Sequence, residues 1–148
     1  MSTTSPAQLY ATLVGAALVI VGIVGFFYDS SFSTGDELKS DEVFGLLAVN
    51  GWHNVLGHLA IGLLLLAAAR SAAREAALGI GLLYLVLAIW GFLAVEDGVG
   101  DILGLIPLNT EDNVLHLILG LTGLAAGAAS PKTTTRPLGN APTGRAAG

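Results

Sequence analysis

Four long stretches of the chain carry almost no charge, and this leaves few folds open to it. They lie at residues 9–28, 52–69, 76–95 and 112–129. A helix needs about 20 apolar residues to cross the roughly 30 Å core of a bilayer, and each stretch is that long or nearly so. The fourth is apolar only over residues 114–129, and it spans if its first turn lies among the lipid headgroups. The pattern therefore predicts an all-α membrane protein, a bundle of four transmembrane helices.

The charged residues between these stretches predict which way the helices run. Ten of the eleven acidic residues lie at 29–51 and 96–113, whereas five of the six basic residues lie at 70–74 and after residue 131. Because basic loops tend to stay in the cytoplasm, both termini are predicted to be cytoplasmic and both acidic loops to be outside. Residues 130–148, rich in Pro, Thr, Gly and Ala, are predicted to form a disordered cytoplasmic tail.

The composition agrees with a membrane location and excludes several classes of function. Hydrophobic residues make up 53% of the chain and charged residues 11%, against about 25% charged in soluble domains. The net charge of −5 is unsuited to binding nucleic acid. The chain has no cysteine, which excludes disulfides, thiolate metal sites and cysteine nucleophiles. The expected partners are the lipid bilayer and, at the glycine- and alanine-rich helix faces, a second copy of the chain or another membrane protein.

One motif occurs twice, and it predicts that the bundle is built from two copies of one unit. Residues 45–63 read GLLAVNGWHNVLGHLAIGL, and residues 104–121 read GLIPLNTEDNVLHLILGL. Equivalent residues are 59 positions apart before Gly57 and 58 afterwards, because Gly57 has no counterpart. Each copy follows an outward-running helix. We therefore predict two parallel helical hairpins, at about 9–69 and 76–129, related by an axis along the membrane normal.

Two short segments precede the second and fourth helices, at 42–49 and 101–108. Each opens with an acid and then becomes apolar, and Pro107 marks the second as irregular. We interpret both as interfacial or re-entrant half-turns. Backbone at that depth must be covered by protein, so these segments are expected to close the outer end of the bundle.

The repeated motif places a histidine and two asparagines at the outer mouth of the second and the fourth helix. Spacings of three or four residues keep them on one helical face, which should face the interior because polar groups are costly against lipid. The candidate polar cluster is Asn50, Asn54, His58, Asn109, Asn113 and His116, with the small residues Gly62 and Gly120 beneath it. The remaining histidine, His53, is expected at the surface, level with the headgroups.

Several roles suit this cluster. Asn50 and Asn109 are good N-caps, and the other members can hydrogen-bond between helices, which would make the cluster structural. His58 and His116 could instead hold a haem, bind a divalent metal with an outer carboxylate, or relay protons. The carboxylates within reach of such a metal are Glu42, Glu96, Asp97 and Asp101. Porphyrin propionates favour basic partners and this rim is acidic, so we expect no cofactor. The sequence shows no pairing of a nucleophile with a base, so we do not expect an enzyme.

The two Asn–His runs, with the apolar residues around them from about residue 9 to residue 129, resemble an uncharacterised bacterial family of small four-span integral membrane proteins, a domain of unknown function. The resemblance implies the four-span fold and a multi-pass protein of the bacterial plasma membrane, and it carries over no catalytic role. We expect a membrane domain over residues 1–129 with a structural or accessory role. The alternative is a protein that binds a ligand, metal or haem, or handles ions or protons, through the outer Asn/His cluster.

Overall fold

Residues 4–132 are described by the computed structural model. In that range, four helical regions and two β-hairpins follow the order helix, hairpin, helix, helix, hairpin, helix. The helices are α1 (Pro6–Gly25), a π-helical segment (His53–Ala60) that continues into α2 (Ile61–Ala68), α3 (Ala73–Ala94) and α4 (Thr110–Ala128). The strands are β1 (Asp41–Val43), β2 (Leu47–Val49), β3 (Val99–Ile102) and β4 (Ile106–Asn109), and a 3₁₀ turn (Gly35–Glu37) precedes β1. Most of the predicted tail, residues 133–148, lies outside the described range.

The helical regions lie where the apolar stretches are, within three residues of the predicted ends. α1 begins at a capping box, in which Ser5 Oγ accepts the N–H of Gln8 and the Gln8 side chain accepts the N–H of Ser5. Pro6 occupies its first position, where a missing N–H costs nothing. A second capping box, between Asn109 and Asp112, begins α4. Polar side chains therefore fix where these two helices begin.

Both outer segments are β-hairpins, so the prediction of re-entrant half-turns is wrong and the fold is mostly helical rather than all-α. β1 pairs with β2, and β3 with β4, in antiparallel register. Each turn has two central residues with positive φ, Phe44 and Gly45 in the first hairpin and Leu103 and Gly104 in the second, as type I′ turns have. The paired strands satisfy backbone N–H and C=O groups that an unpaired half-turn would leave without partners.

Small residues let the helices pack closely in pairs. α1 lies against the π-helical segment and α2, and α3 lies against α4. A methyl group at Gly15 would lie 3.0 Å from the carbonyl oxygen of Gly62, and one at Gly81 would lie 3.0 Å from that of Gly120. Such close backbone approach is typical of small residues between membrane helices. Between the two pairs, α1 also contacts α3 and α4, and α2 contacts α3.

The buried faces of the helices carry smaller and more polar side chains than the exposed faces, which is unusual for a protein in water. α4 buries three polar side chains and three glycines, while its exposed residues include valine, leucine and isoleucine. α1 buries mainly alanine and glycine, while Leu13, Ile20 and Ile23 are 60%, 60% and 52% exposed. The buried helix faces are therefore mainly small and polar, with a few large side chains such as Leu65 and Tyr84, and the exposed faces are large and aliphatic.

Length and hydropathy identify fewer candidate spans than the four predicted. Among the described helices, Pro6–Gly25 and Ala73–Ala94 are long and apolar enough to cross a membrane. His53–Ala68 is apolar but shorter. α4 is long enough, and its first two turns carry polar residues, which lower its mean hydropathy.

Candidate functional site

The polar residues of the repeated motif are buried where the hairpins meet the helices. All six residues predicted for the cluster are at most 7% exposed. Two further polar residues join them, His53 and Asp112, each 2% exposed. The prediction that His53 lies at the surface is therefore wrong. We call these eight side chains the buried polar cluster: Asn50, His53, Asn54, His58, Asn109, Asp112, Asn113 and His116.

Two asparagines of the cluster cap the helices below them. The Oδ1 atom of Asn50 accepts the N–H of His53 at 2.8 Å, and Oδ1 of Asn109 accepts the N–H of Asp112 at 2.9 Å. Each bond satisfies one of the N–H groups that the first turn of a helix leaves without a partner. The predicted capping role of Asn50 and Asn109 is confirmed.

The same two asparagines tie the hairpins to one another. The Nδ2 atom of Asn50 donates to the carbonyl of Leu105 at 2.9 Å, and Nδ2 of Asn109 donates to the carbonyl of Leu46 at 2.7 Å. Leu46 and Leu105 directly follow the turn glycines of the first and second hairpin. Each half of the chain therefore holds the turn of the other half, and β2 lies against β4.

His53 and Asp112 occupy equivalent positions, the third residue after each capping asparagine, but bond differently. The Oδ2 atom of Asp112 accepts the N–H of Asn109 at 3.1 Å and, from the other half, the N–H of Ala48 at 3.0 Å. The residue equivalent to Ala48 is Pro107, which has no N–H to donate. His53 instead donates from Nδ1 to the carbonyl of Ala48 at 2.8 Å. The shared spacing after the asparagines is the sequence signal that identifies His53 as a member of the cluster.

A glycine on the preceding helix makes room for each of the two deeper asparagines. A Cβ atom on Gly25 would collide with the side chain of Asn54, and one on Gly91 would collide with that of Asn113. Each asparagine oxygen thus lies against a glycine Cα–H group, which is a weak donor. Nδ2 of Asn54 donates to the carbonyl of Asp29 at 3.1 Å. Neither polar atom of the Asn113 side chain has a hydrogen-bond partner within residues 4–132.

The π-helical segment explains why the two halves differ by one residue. Its backbone is π-helical from His53 to Ala60, and a π-helical turn holds one residue more than an α-helical turn. Gly57, the residue without a counterpart, lies inside it. The extra residue is therefore absorbed locally, and the residues after it keep the register of the other half. Such π-helical turns occur frequently at functional sites.

The chain's three histidines form one packed group. The ring of His53 stacks on that of His58, with centroids 4.5 Å apart, and lies 6.3 Å from that of His116. The ring of Tyr84 covers His116 at 5.3 Å. Gly57 leaves room for the His53 ring, which a Cβ there would approach to 2.6 Å. The Nδ1 atoms of His58 and His116 are buried without a hydrogen-bond partner in the described part of the chain.

The packing of the histidines argues against two ligands considered from the sequence, a haem and a divalent metal ion. His58 and His116 do not flank an open slot for a porphyrin, because the ring of His53 packs beside both. Among residues 4–132, no group of three or more His, Asp or Glu side chains is placed to hold a metal ion. The outer carboxylates lie on the surface, at Glu42, Glu96, Asp97 and Asp101. What the cluster presents is a hydrogen-bonded network with unpartnered imidazole and amide atoms.

Comparison with known proteins gives a family. A family model described as "Domain of unknown function (DUF4383)" matches residues 8–129, which include the whole buried polar cluster. No curated protein and no solved structure matches the chain. Because the match covers most of the 148 residues, the chain belongs to the DUF4383 family, a domain of unknown function.

Proposed function

We propose that this chain is an integral membrane protein that crosses the bilayer four times and has a structural or accessory role. The observation that carries the proposal is the distribution of side chains on the helices, with mainly glycine, alanine and polar groups on the buried faces and large aliphatic groups on the exposed faces. In the apolar windows of α1 and α3, only 33% of the residues are buried inside the molecule. A helix in the core of a soluble protein would be mostly buried. An exposed apolar surface of this extent suits lipid and is unfavourable in water.

The π-helical segment with α2, and α4, supply the other two spans. Their outward residues are also large and aliphatic, since Leu63, Leu64, Ile118 and Leu121 are between 51% and 57% exposed. Short spans are accommodated by local thinning of the bilayer and by turns at headgroup level. The capped first turn of α4 and the hairpins above it suit that level, because their polar groups already have partners inside the protein.

We further infer that the two halves are copies of one helix–hairpin–helix unit, related by an axis along the membrane normal. The reciprocal bonds of Asn50 and Asn109 support this. So do the buried positions of α1, most of which recur in α3 66 residues later. The recurring pairs are Ala7 and Ala73, Ala11 and Ala77, Gly15 and Gly81, Leu18 and Tyr84, Gly22 and Ala88, and Gly25 and Gly91.

In the proposed orientation the acidic hairpins face outward and both termini are cytoplasmic, in the plasma membrane of a bacterium. The charge distribution supports this direction, with ten of eleven acids on the hairpin side. Most hydrogen bonds of the buried polar cluster join the two hairpins to one another or join a hairpin to a helix. This use of the polar groups supports a structural or accessory role and no catalytic one.

Single cysteines test the proposal, because the natural chain has none. In a bacterial host, a membrane-impermeant maleimide should label Asp36→Cys and Asp97→Cys in intact cells, and Ser71→Cys only after lysis. Alkaline carbonate should leave the protein in the membrane pellet. Release by carbonate would overturn the membrane location. Labelling of all three cysteines in intact cells would overturn the four crossings while leaving the location standing.

A further inference from the structure

An apolar cavity lies between α1 and α4, below the first hairpin. Its volume is about 240 Å³, and an apolar cavity of about 150 Å³ is enough to bind benzene. Aliphatic residues such as Leu18, Leu47 and Leu115 form its wall, together with His58. A groove of about 410 Å³ shares Leu47 and Leu115 with the cavity and runs outward to Glu111. The two spaces thus lie side by side between Glu111 at the outer rim and His58.

His58 has an unused hydrogen-bonding group at this wall. Its side chain is 7% exposed. Nδ1 is fully buried and out of reach of the cavity, so Nε2 is the ring nitrogen available to a molecule that binds there. The stacked ring of His53 supports one face of the imidazole. A hydrogen bond from a bound molecule to Nε2 would form among aliphatic side chains, where the low local dielectric strengthens it.

The other half of the molecule has the equivalent histidine, and a ring fills the corresponding space. Leu18 in α1 corresponds to Tyr84 in α3. The ring of Tyr84 lies 5.3 Å from that of His116, and its hydroxyl donates to the carbonyl of Gly57 at 3.4 Å. Leucine at position 18 leaves open beside His58 the space that an aromatic ring occupies beside His116.

We propose that this cavity binds a neutral lipophilic molecule whose ring carbonyl or hydroxyl hydrogen-bonds to His58. A ring fits, because the equivalent space holds the ring of Tyr84. A neutral molecule fits, because the wall is aliphatic and the carboxylate of Glu111 stands at the outer end of the groove. The inference rests on the proposed membrane location for the route of entry, since Leu13 on the cavity wall is 60% exposed on the outer surface of α1.

Native mass spectrometry of the whole protein in detergent tests the site with two probes. One is a benzoquinone with a ten-carbon tail, and the other is benzene with the same tail and no hydrogen-bonding group. The wild-type chain should bind one quinone, about tenfold more tightly than the alkylbenzene, since one hydrogen bond is worth about a factor of ten. His58→Leu should remove that preference, whereas His116→Leu, on the covered side, should keep it.

Exchanging the residues that differ between the halves provides the matched variants. Leu18→Tyr should fill the cavity and lower quinone binding at least tenfold. Tyr84→Leu should open a second site beside His116 and raise the stoichiometry to two. Circular dichroism reports whether each variant folds, and if Leu18→Tyr does not, the comparison of His58→Leu with His116→Leu still decides.

Three results would overturn the inference: equal binding of the two probes by the wild-type chain, undiminished quinone binding by folded Leu18→Tyr, or equal losses in His58→Leu and His116→Leu. Each is independent of the carbonate and labelling experiments, so failure of the ligand site would leave the membrane proposal unaffected.

Discussion

The two halves of the molecule, residues 6–68 and 73–128, follow the same plan, and three of their differences lie close together. Both have a capping asparagine, a hairpin with two positive φ angles and a glycine beside a buried asparagine. The first half alone has a π-helical segment, has leucine where the second has Tyr84, and has His53 where the second has Asp112. All three differences lie next to His58 or contact its neighbours. The shared features therefore account for the fold, and these three differences lie around His58.

The comparison also shows how two equivalent histidines, each 7% exposed, come to have different surroundings on the same scaffold. His116 sits under the ring of Tyr84. Its equivalent, His58, lies on a π-helical turn beside an open cavity. Because the surrounding backbone is held by the same asparagines and glycines in both halves, a few side chains decide whether a cavity or an aromatic ring lies beside the histidine.

The largest effect that we predict is for the deletion of Leu117 in α4, and the matched deletion of Gly57 in the first half should have a much smaller effect. Removal of Leu117 should turn the rest of α4 by about 100°, which takes Gly120 and Gly123 away from α3. We expect a loss of at least about 4 kcal/mol, which is exceptional for a single change, or no folded protein. Removal of Gly57 should convert the π-helical turn to an α-helical turn and leave later residues in place, at a cost of about 1 kcal/mol. Thermal unfolding in detergent, followed by circular dichroism, measures both.

Equal damage from the two deletions would show that Gly57 is not an absorbed insertion. Deletion of Gly79, an exposed α3 residue with open space beside it, provides a control. It should behave like removal of Leu117, because α3 has no π-helical turn to absorb the change in register.

The second prediction concerns Asp112, which serves both halves. Asp112→Ala should leave the buried N–H groups of Ala48 and Asn109 without a partner, at about 1–3 kcal/mol for each group. Both groups donate to the same oxygen, Oδ2. Asp112→Asn keeps one amide oxygen and should therefore cost less than half as much. Urea- or SDS-induced unfolding in mixed micelles would measure the difference. Equal losses in the two variants would mean that the charge, and not the shared acceptor, is what matters.

The sequence was sufficient to locate the helices, because long apolar stretches can do little else in this chain. It was insufficient for the hairpins. Strands of three or four residues leave little periodic signal, and Phe44 and Leu103 are unusual residues for positive φ. The glycine that follows each of them at the same place in both copies was the one available clue.

The candidate site was predictable in its members and less so in its geometry. The repeat identified six buried residues, whereas His53 was wrongly expected at the surface. The common spacing of His53 and Asp112 after Asn50 and Asn109 was the signal that could have identified both. The stacking of His53 on His58 depends on the π-helical turn, which spacing alone does not predict. The cavity depends on how far apart α1 and α4 lie, which is a property of the packed bundle and not of any one segment.

The smallest effect that we predict is a coupling between positions 53 and 107. It tests why the first half has a histidine at position 53 where the second half has Asp112. His53→Asp would give both halves a carboxylate at this position, but the residue facing it is Pro107, which has no N–H. The carboxylate would be buried without the partner that Ala48 provides to Asp112. Pro107→Ala restores that N–H, so the double variant should be more stable than the sum of the single changes by about 1 kcal/mol, the net worth of one hydrogen bond. A double-mutant cycle of unfolding free energies gives this coupling, and His53→Asn, which needs no charge compensation, serves as the parallel cycle. A coupling near zero would mean that Pro107 and position 53 are independent, and that the proline does not explain why this half carries a histidine in place of an aspartate.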